Sequence, residues 1–173
     1  LGLFKGTDKG FALEKSMTRA EASVMLTRLL GAEKTALAGN WKHPFTDVSQ
    51  WADKYVGWLY QNGLTKGVSA TLYGSQRNVT CGQYCIFLTR AHLDADSYQG
   101  TAFVDNDEVR QTDEEGFIRG DAVSLSARLL STNYAKNGDE SDRSVAEKLI
   151  DNGVFTVEQF KNAAWDVLPR DYS

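Results

Sequence analysis

The side chains able to do chemistry are few and do not assemble into a reacting set. His43 and His92 have no acid or nucleophile at a recognisable spacing, so no catalytic residue is assigned and the chain is not read as an enzyme. Cys81 and Cys85 stand four apart on a predicted helix and share a face. A bridge within one helical turn has poor geometry, so they read as two free, buried thiols acting as small apolar residues. No C-x-x-C pair or His/Cys cluster suggests zinc. The acidic stretch from Asp105 to Asp121 lacks the ligand order of a calcium loop and reads as a solvated loop. Neither a metal nor a cofactor is expected. One cation stands in an unusual place: Arg19 takes the first position of a predicted helix, where the dipole disfavours it by about 0.3–1 kcal/mol. That cost favours a ligand role for Arg19 over a purely structural one.

The elements that must carry these residues follow from an internal repeat. Gly2-Leu3-Phe4-Lys5-Gly6 matches Gly63-Leu64-Thr65-Lys66-Gly67. Thr18-Arg19-Ala20-Glu21 aligns with Thr80-Cys81-Gly82-Gln83, and Leu26-Thr27-Arg28-Leu29 with Leu88-Thr89-Arg90-Ala91. A weaker third copy runs from Phe117-Ile118-Arg119-Gly120-Asp121 to Ala127-Arg128-Leu129-Leu130. Phe45-Thr46-Asp47 and Phe103-Val104-Asp105 open the second and third copies.

Each full unit reads as a short helix, a Gly-rich loop and a longer helix. Thr18 with Glu21, and Thr80 with Gln83, are capping boxes at the starts of long helices; Ile118 leaves the third start less well specified. Ala22, Met25, Leu26, Leu29 and Leu30 fall at helical spacing behind the first cap. The short helix from Trp51 to Asn62 has too many apolar residues for one narrow stripe and is expected to be largely buried. Ser144 to Asn152 reads as a further short helix that covers apolar surface through Val145, Leu149 and Ile150. Residues 156–173, with Phe160, Trp165 and Pro169, read as one more short helix with a loose end. The expected division is 1–40, repeat one without its leading helix; 41–95, repeat two; 96–134, a shortened repeat three; and 135–173, a helical extension packed on the repeats.

Composition narrows the function. A net charge of -4 gives no basic surface for nucleic acid. No apolar run approaches the ~18 residues of a membrane span, so no membrane insertion is expected. The chain begins at Leu1 without a recognisable secretory leader and reads as trimmed from something longer.

Thr18-Arg19-Ala20-Glu21 at a helix start, the F-x-D entry at Phe45-Thr46-Asp47, Trp51-Ala52 and the Gly-Leu-x-x-Gly turns together resemble the S-layer homology family. The resemblance covers residues 1 to about 134, well in the first two units and loosely in the third. It implies an all-α, pseudo-threefold arrangement of helix-loop-helix repeats in a non-catalytic module of the bacterial cell surface. Such modules bind secondary cell-wall polysaccharide, often bearing a pyruvate ketal, in grooves between repeats, and sit at the ends of secreted proteins beside a linked cargo domain. The resemblance further implies Arg19 as the main ligand contact of one groove, with Asp8, Gly10 and Trp51 beside it. The amides at the start of that helix favour an anion. Cys81 replaces the motif arginine in the second unit, which implies a silent groove, while Arg119 marks a partial one.

Each of these residues also has a plainer reading. Glu21 is explained by its cap, although it can also contact sugar hydroxyls. Trp51 reads first as core and second as a platform for a sugar ring. Arg28, Arg90 and Arg128 recur near helix ends, where a cation suits the dipole, and read as structural. Trp41 and Trp58 read as packing residues. Asn78-Val79-Thr80 is a glycosylation sequon with Thr80 committed to a cap, and Arg119-Gly120-Asp121 lies at a helix start, not on a projecting loop. The alternative function is a degenerate repeat module that docks a protein and no longer binds sugar.

Overall fold

The computed structural model describes residues 10–93, 95–134 and 143–163. Among these the chain is all-α, as the sequence predicts, with eight helices and no strand. They are α1 (Arg19–Leu29), α2 (Glu33–Ala38), α3 (Gln50–Gln61), α4 (Cys81–His92), α5 (Asn106–Glu115), α6 (Arg119–Leu130), α7 (Val145–Asp151) and α8 (Val157–Ala163).

Helices α1, α4 and α6 begin in three different ways, and α3, expected as a short helix, is as long as any of them at 12 residues. At α1 the capping box is complete: Glu21 N donates to Thr18 Oγ1 at 3.2 Å and Thr18 N donates to Glu21 Oε2 at 2.8 Å. At α4 it is half formed. Gln83 N donates to Thr80 Oγ1 at 3.1 Å, but the Gln83 side-chain oxygen accepts from Arg19 Nη1 at 3.3 Å instead of turning back. At α6 the other half survives: Ile118 carries no acceptor, and only its amide bonds Asp121, at 2.9 Å.

Backbone pairing ties these starts together. Ser16 bridges Ile118, and Thr18 bridges Asn78. The first amides of α1, Arg19 N and Ala20 N, donate to Arg77 O and Ser75 O at 2.9 and 3.2 Å. Those of α6, Arg119 N and Gly120 N, donate to Lys15 O and Leu13 O at 2.8 and 2.9 Å. At α4 a side chain replaces the loop, and Cys81 N donates to Asp113 Oδ1 at 2.5 Å. Amides orphaned at a helix start are thereby satisfied without water.

Two elements depart from the sequence reading. The acidic stretch expected as a solvated loop is largely helix α5. Asp105 caps it by accepting from Asp107 N at 2.7 Å, and Asp107 and Glu108 suit the positive end of its dipole. Val109 is its one buried residue, so no hydrophobic period betrayed it. Helix α2 was also unforeseen; of its six residues only Ala36 is buried.

Packing follows a repeated pattern: α3 lies on α1, α5 on α4, and α7 on α6. The main core joins Leu26, Leu29, Leu88, Leu129, Phe117 and Leu149. A smaller core holds Ala20, Phe45, Ala52, Val56 and Tyr73. Val145 and Leu149 of α7 are buried, and Ile150 packs beside them. Gly31, at φ +68°, ends α1; a Cβ there would lie 2.4 Å from Val154 Cγ2, so the glycine also lets the segment after α7 approach. Phe160 of α8 closes on Phe155, while Trp165 and Pro169 lie outside the described residues. Cys81 and Cys85 are buried and unbridged. Among the described residues no helix is long and apolar enough to cross a membrane.

Candidate functional site

Three of the residues singled out in the sequence meet in one cleft. Glu21 from α1, Trp51 from α3 and Arg119 from α6 line it, together with Val24, Met25, Arg28 and Tyr55, around a volume of about 330 Å³. Helical spacing explains the walls: Glu21, Val24, Met25 and Arg28 fall on one face of α1, and Trp51 and Tyr55 are one turn apart on α3. The start of α6 supplies the third wall.

Arg119 is half-buried and its side chain forms no hydrogen bond or ion pair among the described residues; its backbone amide alone is committed, to Lys15 O. Arg28 spends Nε on Glu33 Oε1 at 2.8 Å, and Tyr55 OH donates to the same oxygen at 2.9 Å. Burial, then the Glu33 bond, pushes the Tyr55 phenol above its ordinary range, so it stays a neutral donor. Glu21 accepts both the Thr18 amide and hydroxyl on Oε2. Trp51, read first as core, is 53% exposed; the apolar contacts of α3 come from Ala52, Tyr55, Val56 and Leu59. The lining brings the Arg119 and Arg28 guanidinium groups and the Glu21 carboxylate beside an open indole face, with the Arg28 charge already met by Glu33.

Arg19 is elsewhere. It is 6% exposed, with Nε donating to Tyr73 O and Nη2 to Lys66 O, both at 3.0 Å. Its guanidinium carbon lies 4.9 Å from the Tyr73 ring centre and 5.3 Å from that of Phe87. Burial lowers its pKa, the largest effect, with Arg77 and Arg90 adding to it. Gly10 is exposed at φ +97°, five residues before the Lys15 carbonyl that meets Arg119. Asp8 lies outside the described residues.

The recurring arginines each hold a carboxylate: Arg28 with Glu33, Arg90 with Asp96 at 2.6 Å, and Arg128 with Glu108. The Arg128 pair sits in a wider hollow of about 800 Å³, where Nη1 and Nη2 take both Glu108 oxygens, at 2.9 and 2.5 Å, and leave that charge closed. Sequence reasoning assigned Arg28 a structural role alone and gave Tyr55 none in a site. The signal was present in the i, i+7 spacing of Glu21 and Arg28 and the i, i+4 spacing of Trp51 and Tyr55. It had no meaning until α6 was known to close the third side. Among the described residues no three His, Cys, Asp or Glu gather as a metal site.

Comparison with known proteins agrees with the part of the resemblance carried by Phe45-Thr46-Asp47 and Trp51-Ala52; Thr18-Arg19-Ala20-Glu21 lies outside the matched segment. The sequence model of the S-layer homology domain matches residues 44–85. An endoglucanase of Bacillus sp. (strain KSM-635) is 34% identical over 82 residues, 47% of this chain but 8% of that enzyme's length, so its activity is not carried across. No solved structure matches the chain. The matched segment runs from the Phe45-Thr46-Asp47 entry, through α3 and the loop over Arg19, into α4. Residues 44–85 are thus similar to the S-layer homology domain, a kind of module that generally anchors proteins to the cell wall.

Proposed function

We propose that this module holds a linked domain at the bacterial surface by binding an acidic cell-wall polysaccharide in the cleft between α1, α3 and α6. The observation that carries the reading is the pairing of an uncommitted Arg119 with a half-exposed Trp51 in one concave site. A carboxylate on a sugar, such as a pyruvate ketal, asks for a planar cation and a flat apolar face. Arginine supplies parallel donors for the carboxylate, and the indole stacks on the ring. Arg28 adds a second cation, and Tyr55 and Glu21 add polar atoms for hydroxyls.

Retention on purified cell-wall sacculi tests this. Wild-type protein is retained, and stripping the polysaccharide abolishes retention. Arg119→Gln weakens retention by about tenfold or more, since charged hydrogen bonds contribute about 1.5–3 kcal/mol each, and Trp51→Ala weakens it by removing the stacking face. Undiminished retention of both variants, or of wild type on stripped sacculi, overturns the reading.

A further inference from the structure

Helix α2 contributes no residue to the lining of the cleft, yet its first residue reaches two of the walls. Glu33 Oε1 accepts from Arg28 Nε on α1 at 2.8 Å and from Tyr55 OH on α3 at 2.9 Å. One carboxylate oxygen therefore ties the α1 wall to the α3 wall. Helix α2 packs on both helices, and Glu33 takes its first position, where the dipole favours an anion. The pair is sheltered, with the Arg28 and Glu33 side chains 18% and 24% exposed, so salt screens it less than a surface pair.

The charges around the cleft follow from this. Arg28 and Arg119 bring two positive charges into the lining. Glu21 brings one negative charge, held by the Thr18 amide and hydroxyl. Glu33 adds a second negative charge from behind the wall, and the four charges cancel. Arg119 is then the lining guanidinium that meets no carboxylate among the described residues. The Arg128 hollow is arranged differently. There Glu108 lines the same hollow and occupies Nη1 and Nη2, whereas Glu33 stands outside the cleft and takes Nε of Arg28.

We infer that Glu33 is a specificity-determining residue of the cleft: by meeting the Arg28 charge from outside, it sets the site for a ligand with a single negative charge, a sugar carboxylate, over a doubly charged phosphate monoester. The inference rests on the cleft being the ligand site. A phosphate monoester carries close to two charges at about pH 7.5, and each charge taken from water needs an unmatched cation to offset its desolvation. A carboxylate needs one, which Arg119 supplies.

The test uses the whole chain and the variants Glu33→Gln, Arg28→Gln and the two combined. Glutamine at position 33 keeps an acceptor oxygen for Arg28 and Tyr55 while removing the charge. The probes are a monosaccharide carrying a pyruvate ketal and the same monosaccharide carrying a phosphate monoester, each titrated calorimetrically. Wild type is expected to bind the ketal more tightly. Glu33→Gln is expected to bind the phosphate about tenfold more tightly than wild type does and the ketal only about threefold more tightly, because the Coulomb energy scales with ligand charge. Its salt dependence steepens. The double variant returns to the wild-type preference. Equal fold-changes for the two probes in Glu33→Gln overturn the inference, as does a wild type that prefers the phosphate or a phosphate gain that survives in the double variant. If wild type binds neither probe, the functional reading falls, and the Tyr55 phenol then decides whether the Glu33 charge acts on the cleft wall. Burial, then the Glu33 bond, holds that phenol above its ordinary range. Glu33→Gln is expected to lower its pKa, followed by the ¹³Cζ signal assigned with Tyr55→Phe, and an unmoved phenol overturns the inference.

Discussion

The starts of α1 and α6 are built on one plan and put to opposite use. Each begins with an arginine whose amide donates to a loop carbonyl, Arg77 O for Arg19 and Lys15 O for Arg119, and each next amide takes a carbonyl two residues earlier in that loop. Each loop turns on one residue with positive φ whose carbonyl closes the turn: Gly74 at +75° accepts from Arg77 N, and Ala12 at +48° accepts from Lys15 N. The difference lies in what holds the loop. Over α1, Asp47 fixes three amides and the loop closes down on the guanidinium. Over α6, the Arg119 side chain is left uncommitted and faces a cleft. A motif residue can thus be spent on the fold at one position and left uncommitted at another, and the deciding factor is the neighbouring loop.

The largest effect expected from breaking this comparison is at Asp47. Asp47→Ala leaves three loop amides without their carboxylate and costs about 3 kcal/mol, read as the midpoint of urea unfolding. Burial alone would raise this carboxyl, but the amides of Tyr73, Ser75 and Gly74 outweigh it and hold its pKa below the ordinary value. A depressed folded pKa gives stability that is fully present above the unfolded value of about 4. That stability is lost as pH falls through the folded value. Asp47→Asn therefore removes part of the acid sensitivity seen in wild type below about pH 4.

Arg119→Gln should show the opposite profile, changing stability by less than about 0.5 kcal/mol while sugar binding falls. A large loss of stability would mean that Arg119 is committed to the fold as Arg19 is. The two turns give a finer test. Ala12→Gly relieves a left-handed alanine and stabilises by about 1 kcal/mol. Gly74→Ala destabilises, because its Cβ would lie 3.1 Å from Val68 Cγ1 on a backbone at φ +75°. The smallest change expected is Ile118→Thr, which completes the capping box at α6 and gains about 0.5 kcal/mol; thermal unfolding of the single variant resolves it.

Much of the fold was legible in the residues. Thr18 with Glu21, the apolar spacing behind them and the matching ends at Arg28, Arg90 and Arg128 announced α1, α4 and α6. Helix α5 was hidden because Val109 is its only buried side chain. The half-formed box at α4 was hidden because the competitor for Gln83 is Arg19, 64 residues away in sequence.

For the cleft, the sequence determined which side chains were available: an arginine at each of two helix starts, a tryptophan at a third, and a carboxylate committed to a cap. Local spacing and capping chemistry suffice for that, since they act over three or four residues. Tertiary structure decided which arginine faces outward. That choice depends on whether a loop dozens of residues away supplies carbonyls to the guanidinium, as Lys66 and Tyr73 do for Arg19. A buried cation must have such partners, and an exposed one need not.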